Sequence, residues 1–135
     1  MKAVAILLAT VLLAACTTME PTPRACLAGK PAIETQLYFG LSTTHGVVSA
    51  REWQRFVERE ITPRFAQGFT IVDARGFWLS AQAKRTISEN SKLLIRVHDG
   101  SVKDDGGIEA IIAAFKRAFA QESVLRIDEN ICAAF

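Results

Sequence analysis

The 135-residue sequence predicts a single domain of the α+β class, because it contains two kinds of hydrophobic periodicity. In several short segments apolar residues alternate with polar ones, as they do in strands that bury one face. In two other segments apolar residues recur every three or four positions, as they do in amphipathic helices. The chain is long enough for one hydrophobic core, and strand and helix segments are interleaved along it.

The first part of the domain predicts a strand followed by a helix. Residues 35–41 alternate apolar and polar side chains and are expected to form a strand, and residues 43–47 a turn. Ser49 and Glu52 have the spacing of a capping box, in which each side chain bonds to the other residue's backbone. The helix that they begin is expected to end before Pro63.

The middle of the domain predicts two strands joined by a hairpin. Residues 69–79 form the first strand, in which Gly76 indicates a bulge or kink. Residues 80–85 are expected at the hairpin tip. Residues 91–97 form the second strand, one face of which carries Leu93, Ile95 and Val97.

The last part predicts a helix and a strand. Residues 99–107 are polar, and Asp104 or Asp105 is expected to cap the helix that follows. Helical spacing is clearest at Ile108, Ile111, Ile112, Phe115 and Phe119. Residues 124–127 then predict the last strand.

This order of elements is that of a ferredoxin-like βαββαβ sandwich, a four-stranded antiparallel sheet with two helices on one face. Right-handed crossovers give the strand order 4-1-3-2, which makes the first and last strands neighbours. Cys26 precedes the first strand and Cys132 follows the last, so both reach the same end of the sheet. We expect a disulfide between them if the protein is exported; the alternative is two buried thiols.

The beginning of the chain predicts export. An apolar segment at residues 3–15 follows Lys2 and ends in the letters LAAC at residues 13–16, a pattern typical of secretory signals. The LAAC run resembles the lipobox of bacterial lipoproteins, which implies cleavage before Cys16 and lipid on its sulfur. With Thr17 after the cysteine, the resemblance implies anchoring in the outer membrane, facing the periplasm. We therefore predict a signal peptide at residues 1–15, a tether at residues 16–33 and a ferredoxin-like domain at residues 34–135.

Charge and motifs exclude several classes of function. The chain has 16 basic and 14 acidic residues, and removing Lys2 with the signal leaves 15 against 14, so no basic excess suggests nucleic-acid binding. Neither a phosphate-binding loop, a dinucleotide fingerprint nor a nucleophile elbow occurs. His45 and His98 lack companions at metal-ligand spacing. The sequence therefore predicts no catalytic residue, no metal and no cofactor.

A candidate binding surface is predicted on the sheet face without helices. Alternation assigns to it Gln36, Tyr38, Lys92, Leu94, Arg96, His98, Arg126 and Asp128. Tyr38, Lys92, Arg96 and Arg126 would suit a small anionic ligand. We favour the competing interpretation of a solvated surface. In a third interpretation the face packs against a second subunit, as in a homodimer.

Two other expectations concern single residues. Trp53 and Trp78 are expected in the core, where large apolar residues are commonest. Lys92 and Glu122 are expected to form an ion pair where the first strand ends.

Several short runs follow one another along the domain. They are residues 36–41, Glu52-Trp53 with Phe56, residues 62–65 with Gly68, Gly76 with Trp78, Glu89 with residues 91–93, and residues 121–126. Together they resemble a family of short secreted or lipid-anchored bacterial proteins, a domain of unknown function. The resemblance covers residues 35–135 and implies kinship and export, but no activity. His45-Gly46 departs from the shorter tip expected there.

The sequence thus predicts a lipid-anchored envelope protein whose domain is a non-catalytic binding or structural module, with an envelope protein or a small anionic ligand as its partner. The alternative is a small dimeric α/β-barrel-type enzyme acting on a small anionic or aromatic substrate. In that alternative Tyr38, Arg96 and His98 face a cavity between the sheet and its partner.

Overall fold

A computed structural model describes residues 25–44, 46–80 and 83–135. Its elements are β1 (Lys30–Gly40), β2 (Ser42–Thr43), β3 (Gly46–Val47), α1 (Ala50–Phe56), β4 (Thr70–Ser80), β5 (Arg85–His98), α2 (Val102–Phe119) and β6 (Leu125–Ala133). The predicted signal peptide, Cys16 and His45 lie outside the described residues.

The four long strands form one antiparallel sheet in the order β4-β5-β1-β6. Counting only these strands along the chain, this is the order 4-1-3-2 read from its other end. The predicted ferredoxin-like α+β sandwich is therefore confirmed. β1 begins at Lys30, four residues before the predicted start of the domain at residue 34.

The hairpin of β4 and β5 is longer than predicted. β5 begins at Arg85 and not at residue 91, because its pairing with β4 continues beyond the last residue of β1. The two strands beyond that point, residues 75–80 and 85–90, form a two-stranded projection that we call the arm. The predicted bulge at Gly76 is wrong, since Gly76 pairs with Glu89 in an unbroken register.

Both helices begin at a serine cap. Ser49 and Glu52 form the predicted capping box, and α1 continues as a π-helical turn over Val57–Ile61. α2 begins three residues earlier than an Asp104 cap would allow, because the Ser101 hydroxyl accepts a bond from the Asp104 amide. Asp104 and Asp105 instead lie in the first turn, where carboxylates favour the helix dipole. Neither helix in the described part of the chain is both long and apolar enough to cross a membrane.

The core lies between the helices and one face of the sheet. Its centre is an aromatic cluster around Phe39, which lies 4.7 Å from Phe115 and 5.4 Å from Trp53 between ring centroids. Edge-on and tilted ring pairs of this kind add stability beyond their buried area. Trp53 is thus in the core, as predicted, whereas Trp78 is 47% exposed.

A disulfide joins Cys26 to Cys132, with 5.6 Å between their α-carbons. The predicted pairing is confirmed, although Cys132 lies within β6 and not after it. Its neighbour Gly29 cannot be replaced without strain, because a β-carbon there would lie 2.1 Å from the carbonyl oxygen of Ala133.

Candidate functional site on the open sheet face

The pairing of β1 with β5 decides which side chains lie on which face of the sheet. Leu37 and Phe39 of β1 are fully buried in the core. Their partners Leu94 and Lys92 in β5 lie on the same side, because residues directly opposite each other in a ladder share a face. The side chains one position further along each strand point away from the helices. We call this uncovered side the open face.

The predicted placement of Lys92, Arg96 and Arg126 on the open face is wrong by one residue in β5 and β6. Arg96 opposes the fully buried Thr35, and all three basic residues lie on the helix side. Of the four predicted ligand-binding residues, the open face carries Tyr38. The same correction applies to three other residues assigned to that face, Leu94, His98 and Asp128.

Arg96 is enclosed between the sheet and the start of α2. Its side chain is 6% exposed, and its guanidinium donates to the Gly68 carbonyl at 2.8 Å and to the Asp104 carboxylate at 3.1 Å. The same group lies 5.2 Å from the centre of the Phe65 ring, a cation–π distance. Through these contacts Arg96 joins β5 to α2 and to the loop before β4. Its role is therefore structural.

Arg126 joins β6 to the same helix. Its guanidinium contacts the carboxylates of Asp105 and Glu109 at 2.7 Å each and that of Asp128 at 2.9 Å. Burial opposes its charge, but the three carboxylates together raise the pKa of Arg126 above its ordinary value. An incoming anion would have to displace carboxylates that are already in place.

Thr35 is the centre of a hydrogen-bond chain that runs from the buried His98 to the more exposed Asp128. The Gly100 amide donates to His98 Nδ1 at 3.2 Å, which leaves the proton of a neutral ring on Nε2. His98 Nε2 then bonds to the Thr35 hydroxyl at 2.8 Å, and that hydroxyl donates to Asp128 at 2.5 Å. Burial raises the pKa of Asp128, but its bonds with Thr35 and Arg126 outweigh this and lower that pKa below its ordinary value. His98 therefore faces a filled polar network and not the cavity that the enzyme alternative placed beside it.

Lys92 also has a partner other than the one predicted. Its ammonium group contacts the Asp73 carboxylate across the β4–β5 ladder, so the expected pair with Glu122 is wrong. At the end of β1 the Gln121 side chain donates to the Ser42 carbonyl at 2.6 Å. Gln121, and not Glu122, is thus the residue that caps a backbone group at this end of the sheet.

The open face is largely apolar. The ladder register places on it Val72, Ala74, Trp78, Ile87, Leu93, Ile95, Val97, Leu125, Ile127 and Ile131. Val72 is 43% exposed, Trp78 47% and Leu125 57%. An antiparallel sheet with one face in water usually alternates apolar and polar residues, so this composition is typical of a face that binds something.

A row of hydrogen-bonded polar side chains runs along the central strand β1 on this face. The Tyr38 hydroxyl donates to the Gln36 side-chain oxygen at 2.8 Å, and the Gln36 amide donates to the Glu34 carboxylate at 2.8 Å. Glu34 lies directly opposite Glu129 of β6. This row of side chains thus places fixed hydrogen-bonding groups between two strands whose open-face residues are mostly apolar.

Glu89 lies near the base of the arm, opposite Gly76. A β-carbon on Gly40 would lie 2.9 Å from both Glu89 carboxylate oxygens, so the carboxylate occupies the space that this glycine leaves empty. The Ser42 amide donates to it at 3.3 Å. A β-carbon on Gly76 would lie 3.4 Å from the Ser91 hydroxyl, on the other side of the Glu89 side chain from Gly40. Two glycines thus leave a hollow around a carboxylate and a hydroxyl.

The charges of the open face suit a cation. Between Arg85 at one end and Lys30 at the other, the ladder register places three carboxylates, Glu34, Glu89 and Glu129, and no basic residue. Within residues 25–44, 46–80 and 83–135, no ion pair involves Glu89. With Trp78 beside it, the hollow offers a carboxylate and an aromatic ring, the two groups that bind organic cations best. Among the described residues no group of three or more His, Cys, Asp or Glu is placed to hold a metal ion.

A second concavity lies on the opposite side of the molecule. It is a groove of about 310 Å³ between α1 and α2, lined by Glu52, Arg55, Phe56, Arg59, Glu60, Ala114, Ala118 and Phe119. Its charged residues are of both signs and lie on exposed helix surfaces. We regard it as the main alternative location for a ligand.

Glu89 was not predicted as a site residue, although the sequence contained a signal for it. Gly40 and Gly76 lie inside strands, and glycine in a strand often marks the close approach of another group. Leu93, Ile95 and Val97 were recognised as one face but placed toward the helices. Their alternation with polar residues shows that the segment is a strand, but it does not show which of the two faces of the strand meets the helices.

Residues 34–135 match the family described as "Protein of unknown function (DUF3574)", and the chain belongs to this family. The predicted resemblance to an uncharacterised domain is confirmed. No curated protein matches the chain at significant similarity.

Two solved structures share the fold. A phage SAM lyase in complex with S-methyl-5'-thioadenosine matches with a TM-score of 0.54 and 21% identity, over 87% of this chain and 97% of the other. The same kind of phage enzyme in its apo state matches with a TM-score of 0.53 and 22% identity, over 83% and 97%. At this level of identity the likeness shows the fold.

The prediction of a non-catalytic module is corrected by this comparison. The two solved structures described above, which match over nearly their whole length, are of a phage enzyme. The finding favours the alternative prediction, a small enzyme. Its expected anionic substrate is not supported by the geometry, since the basic residues invoked for it lie on the helix side and hold carboxylates.

Proposed function

We propose that this protein is an enzyme that acts on a small organic cation bearing an aromatic or heteroaromatic ring, which binds on the open face at Glu89. The observation that carries the proposal is the Glu89 carboxylate, held over Gly40 on an apolar face without a basic partner among the described residues. Trp78 offers a ring for stacking, and Tyr38 offers a hydroxyl fixed by Gln36.

The fold likeness supports this substrate class. S-Adenosylmethionine, named for the phage enzyme, is a sulfonium cation that carries an adenine ring. Export of this chain would restrict its own substrate to cations found outside the cytoplasm. We therefore use adenosyl sulfonium compounds as chemical probes of the site and do not name them as the natural substrate.

Binding calorimetry with a matched pair of probes tests the proposal. S-Methyl-5'-thioadenosine is neutral, and methylating its sulfur gives a sulfonium that differs by one methyl group and one positive charge. The wild-type protein should bind the sulfonium at least about tenfold more tightly than the thioether, because a charge-assisted contact contributes about 1.5–3 kcal/mol. Glu89→Gln should remove that difference and leave the thioether affinity within about threefold.

Glu129→Gln is the matched control, since it removes a carboxylate from the same face at a distance from the hollow. It should leave the preference for the sulfonium unchanged. The same samples are then incubated with S-adenosylmethionine, and release of the thioether is followed by chromatography. Equal affinity for both probes in the wild-type protein, or a preference that survives Glu89→Gln, would reject the proposed site.

We further propose that Cys16 carries the lipid that holds the protein in the outer membrane. The support is the LAAC run at residues 13–16 and the cysteine at the position that a lipobox requires. Two or more acyl chains anchor a protein stably, whereas one does not. Cys16→Ala should release the protein from washed membranes or leave the signal peptide uncut; retention with normal cleavage would contradict the anchor.

A further inference from the structure

We propose that the open face binds the open face of a second copy of this chain, with the arm of each copy lying over the acidic end of the other. The interface includes the surface around Glu89 but does not depend on the substrate proposed above. It explains why a sheet face with a largely apolar composition is left uncovered by the helices of its own domain.

The apolar surface of the open face continues on the arm beyond the hollow at Glu89. Val72, Leu93 and Leu125 lie within the four-stranded part, and Trp78 pairs with Ile87 beyond it on the same side. Parts of this surface are strongly exposed, with Leu125 at 57% and Trp78 at 47%. Exposed apolar surface of this extent marks interaction sites in soluble domains.

The size of the surface matches what a stable dimer needs. Strands spaced about 4.8 Å apart, with about 3.3 Å per residue, give the open face and the arm together roughly 700–800 Å² per copy. A specific interface of standard size buries about 800 Å² on each partner. The area is therefore sufficient without help from the helix side.

Charge complementarity indicates both the partner and the orientation. The tip of the arm carries Lys84 and Arg85, which are exposed and form no ion pair within the described residues. Toward the other end of the sheet, Glu34 and Glu129 face each other across the ladder, two like charges that a cation would stabilise. The basic tip and the acidic pair lie toward opposite ends of one face, and Lys30 lies beyond the acidic pair at the start of β1.

In the dimer a twofold axis lies between the two open faces and runs perpendicular to the strands. It places the second copy with its strands pointing in the opposite direction. Each basic tip then meets the partner's acidic pair, and the same contact is made twice, as in any isologous interface. The second copy would also roof the hollow at Glu89 and exclude water from it. Both apolar burial and ion pairing thus favour one arrangement, a face-to-face dimer with reversed strands.

Sedimentation equilibrium of the full-length chain, in a detergent matched to the density of the buffer, tests this inference. The wild-type protein should be a dimer at low micromolar concentration. Lys84→Glu with Arg85→Glu should raise the dimer dissociation constant at least about tenfold, and Glu34→Lys with Glu129→Lys should do the same. Combining all four substitutions should restore the constant to within about threefold of wild type.

Arg59→Glu with Arg117→Glu reverses two exposed charges on the helix side and serves as the control. It should leave the dissociation constant unchanged. Circular dichroism should confirm that every variant is folded, and the quadruple variant tests the contact even if each pair alone is less stable. A wild-type protein that stays monomeric at about 100 μM would overturn the proposed interface. So would a dimer indifferent to both charge reversals, or one that the four combined substitutions fail to restore.

Discussion

The Glu89 carboxylate lies in the space that the missing side chain of Gly40 leaves, so that a β-carbon there would come within 2.9 Å of both its oxygens. The two residues belong to neighbouring strands, and the contact fixes where the carboxylate stands on the open face. A residue at the end of β1 therefore positions the charge that we assign to substrate binding. This relationship can be tested without touching the carboxylate itself.

Gly40→Ala should displace the Glu89 side chain and weaken binding of the sulfonium probe at least about tenfold. The carboxylate is the far end of a flexible side chain and can move aside, so the free energy of unfolding should change by less than about 1 kcal/mol. Calorimetry and urea unfolding measure the two effects. Gly106→Ala, in α2 on the helix side, is the control, because nothing lies within 4 Å of a β-carbon there. Equal losses in both variants would contradict the positioning role of Gly40.

Arg96→Ala should lower the free energy of unfolding by about 3–5 kcal/mol, since it leaves the Asp104 carboxylate without its buried partner. It also removes the packing on Phe65. Lys92→Ala is the control on the same strand and face; its partner Asp73 is 84% exposed, and such pairs are worth less than about 1 kcal/mol. Urea unfolding of the two variants should therefore differ by more than about 2 kcal/mol. Similar losses would show that Arg96 is a surface residue and not a joint between β5 and α2.

Acid should weaken the link between β1 and β6 through Asp128. Its pKa is lowered in the folded protein, so its contribution to stability is complete above its unfolded pKa of about 3.9 and is lost as the pH falls through the folded value. Asp128→Asn should cost up to about 1 kcal/mol at pH 7, a modest figure because solvent screens the group. The difference between variant and wild type should shrink when unfolding is measured near pH 3. A difference that stays constant from pH 7 to pH 3 would show that Asp128 does not titrate in this way.

The disulfide between Cys26 and Cys132 closes a loop of 106 residues. In the chain-entropy model a loop of this length stabilises the fold by up to about 4.7 kcal/mol. Replacing both cysteines with serine should lower the free energy of unfolding by several kcal/mol, and a reductant should then have no further effect. Peptide mapping under non-reducing conditions should recover the two cysteines in one linked fragment; free thiols at both positions would contradict the pairing.

The topology and the disulfide could be predicted because each depends on a signal that the sequence states directly. Strand and helix periods gave the order of elements, and the chirality of crossovers then placed the first and last strands side by side. The capping box at Ser49 was predicted for the same reason, since it depends on residues three apart. These features need no knowledge of which face of a strand is buried.

The candidate site could not be predicted because it depends on that face. β5 carries apolar residues on both sides near its middle, Leu94 on one and Ile95 on the other, so alternation does not reveal which side meets the helices. Arg96 is buried through an ion pair and a ring contact with residues far along the chain. Such tertiary partners override the expectation that arginine faces water. A shift of one residue then moved every predicted site residue of β5 to the wrong face.

A nuclear magnetic resonance titration tests the location of the site most directly, because the two tryptophans report on opposite sides of the sheet. Trp53 is buried in the core and Trp78 lies on the open face, and each gives one indole N–H signal. Adding the sulfonium derivative of S-methyl-5'-thioadenosine to the ¹⁵N-labelled protein should shift the Trp78 indole and the Glu89 amide, while the Trp53 indole stays in place. Shifts confined to the groove between α1 and α2, with Trp78 and Glu89 unmoved, would contradict a binding site on the open face.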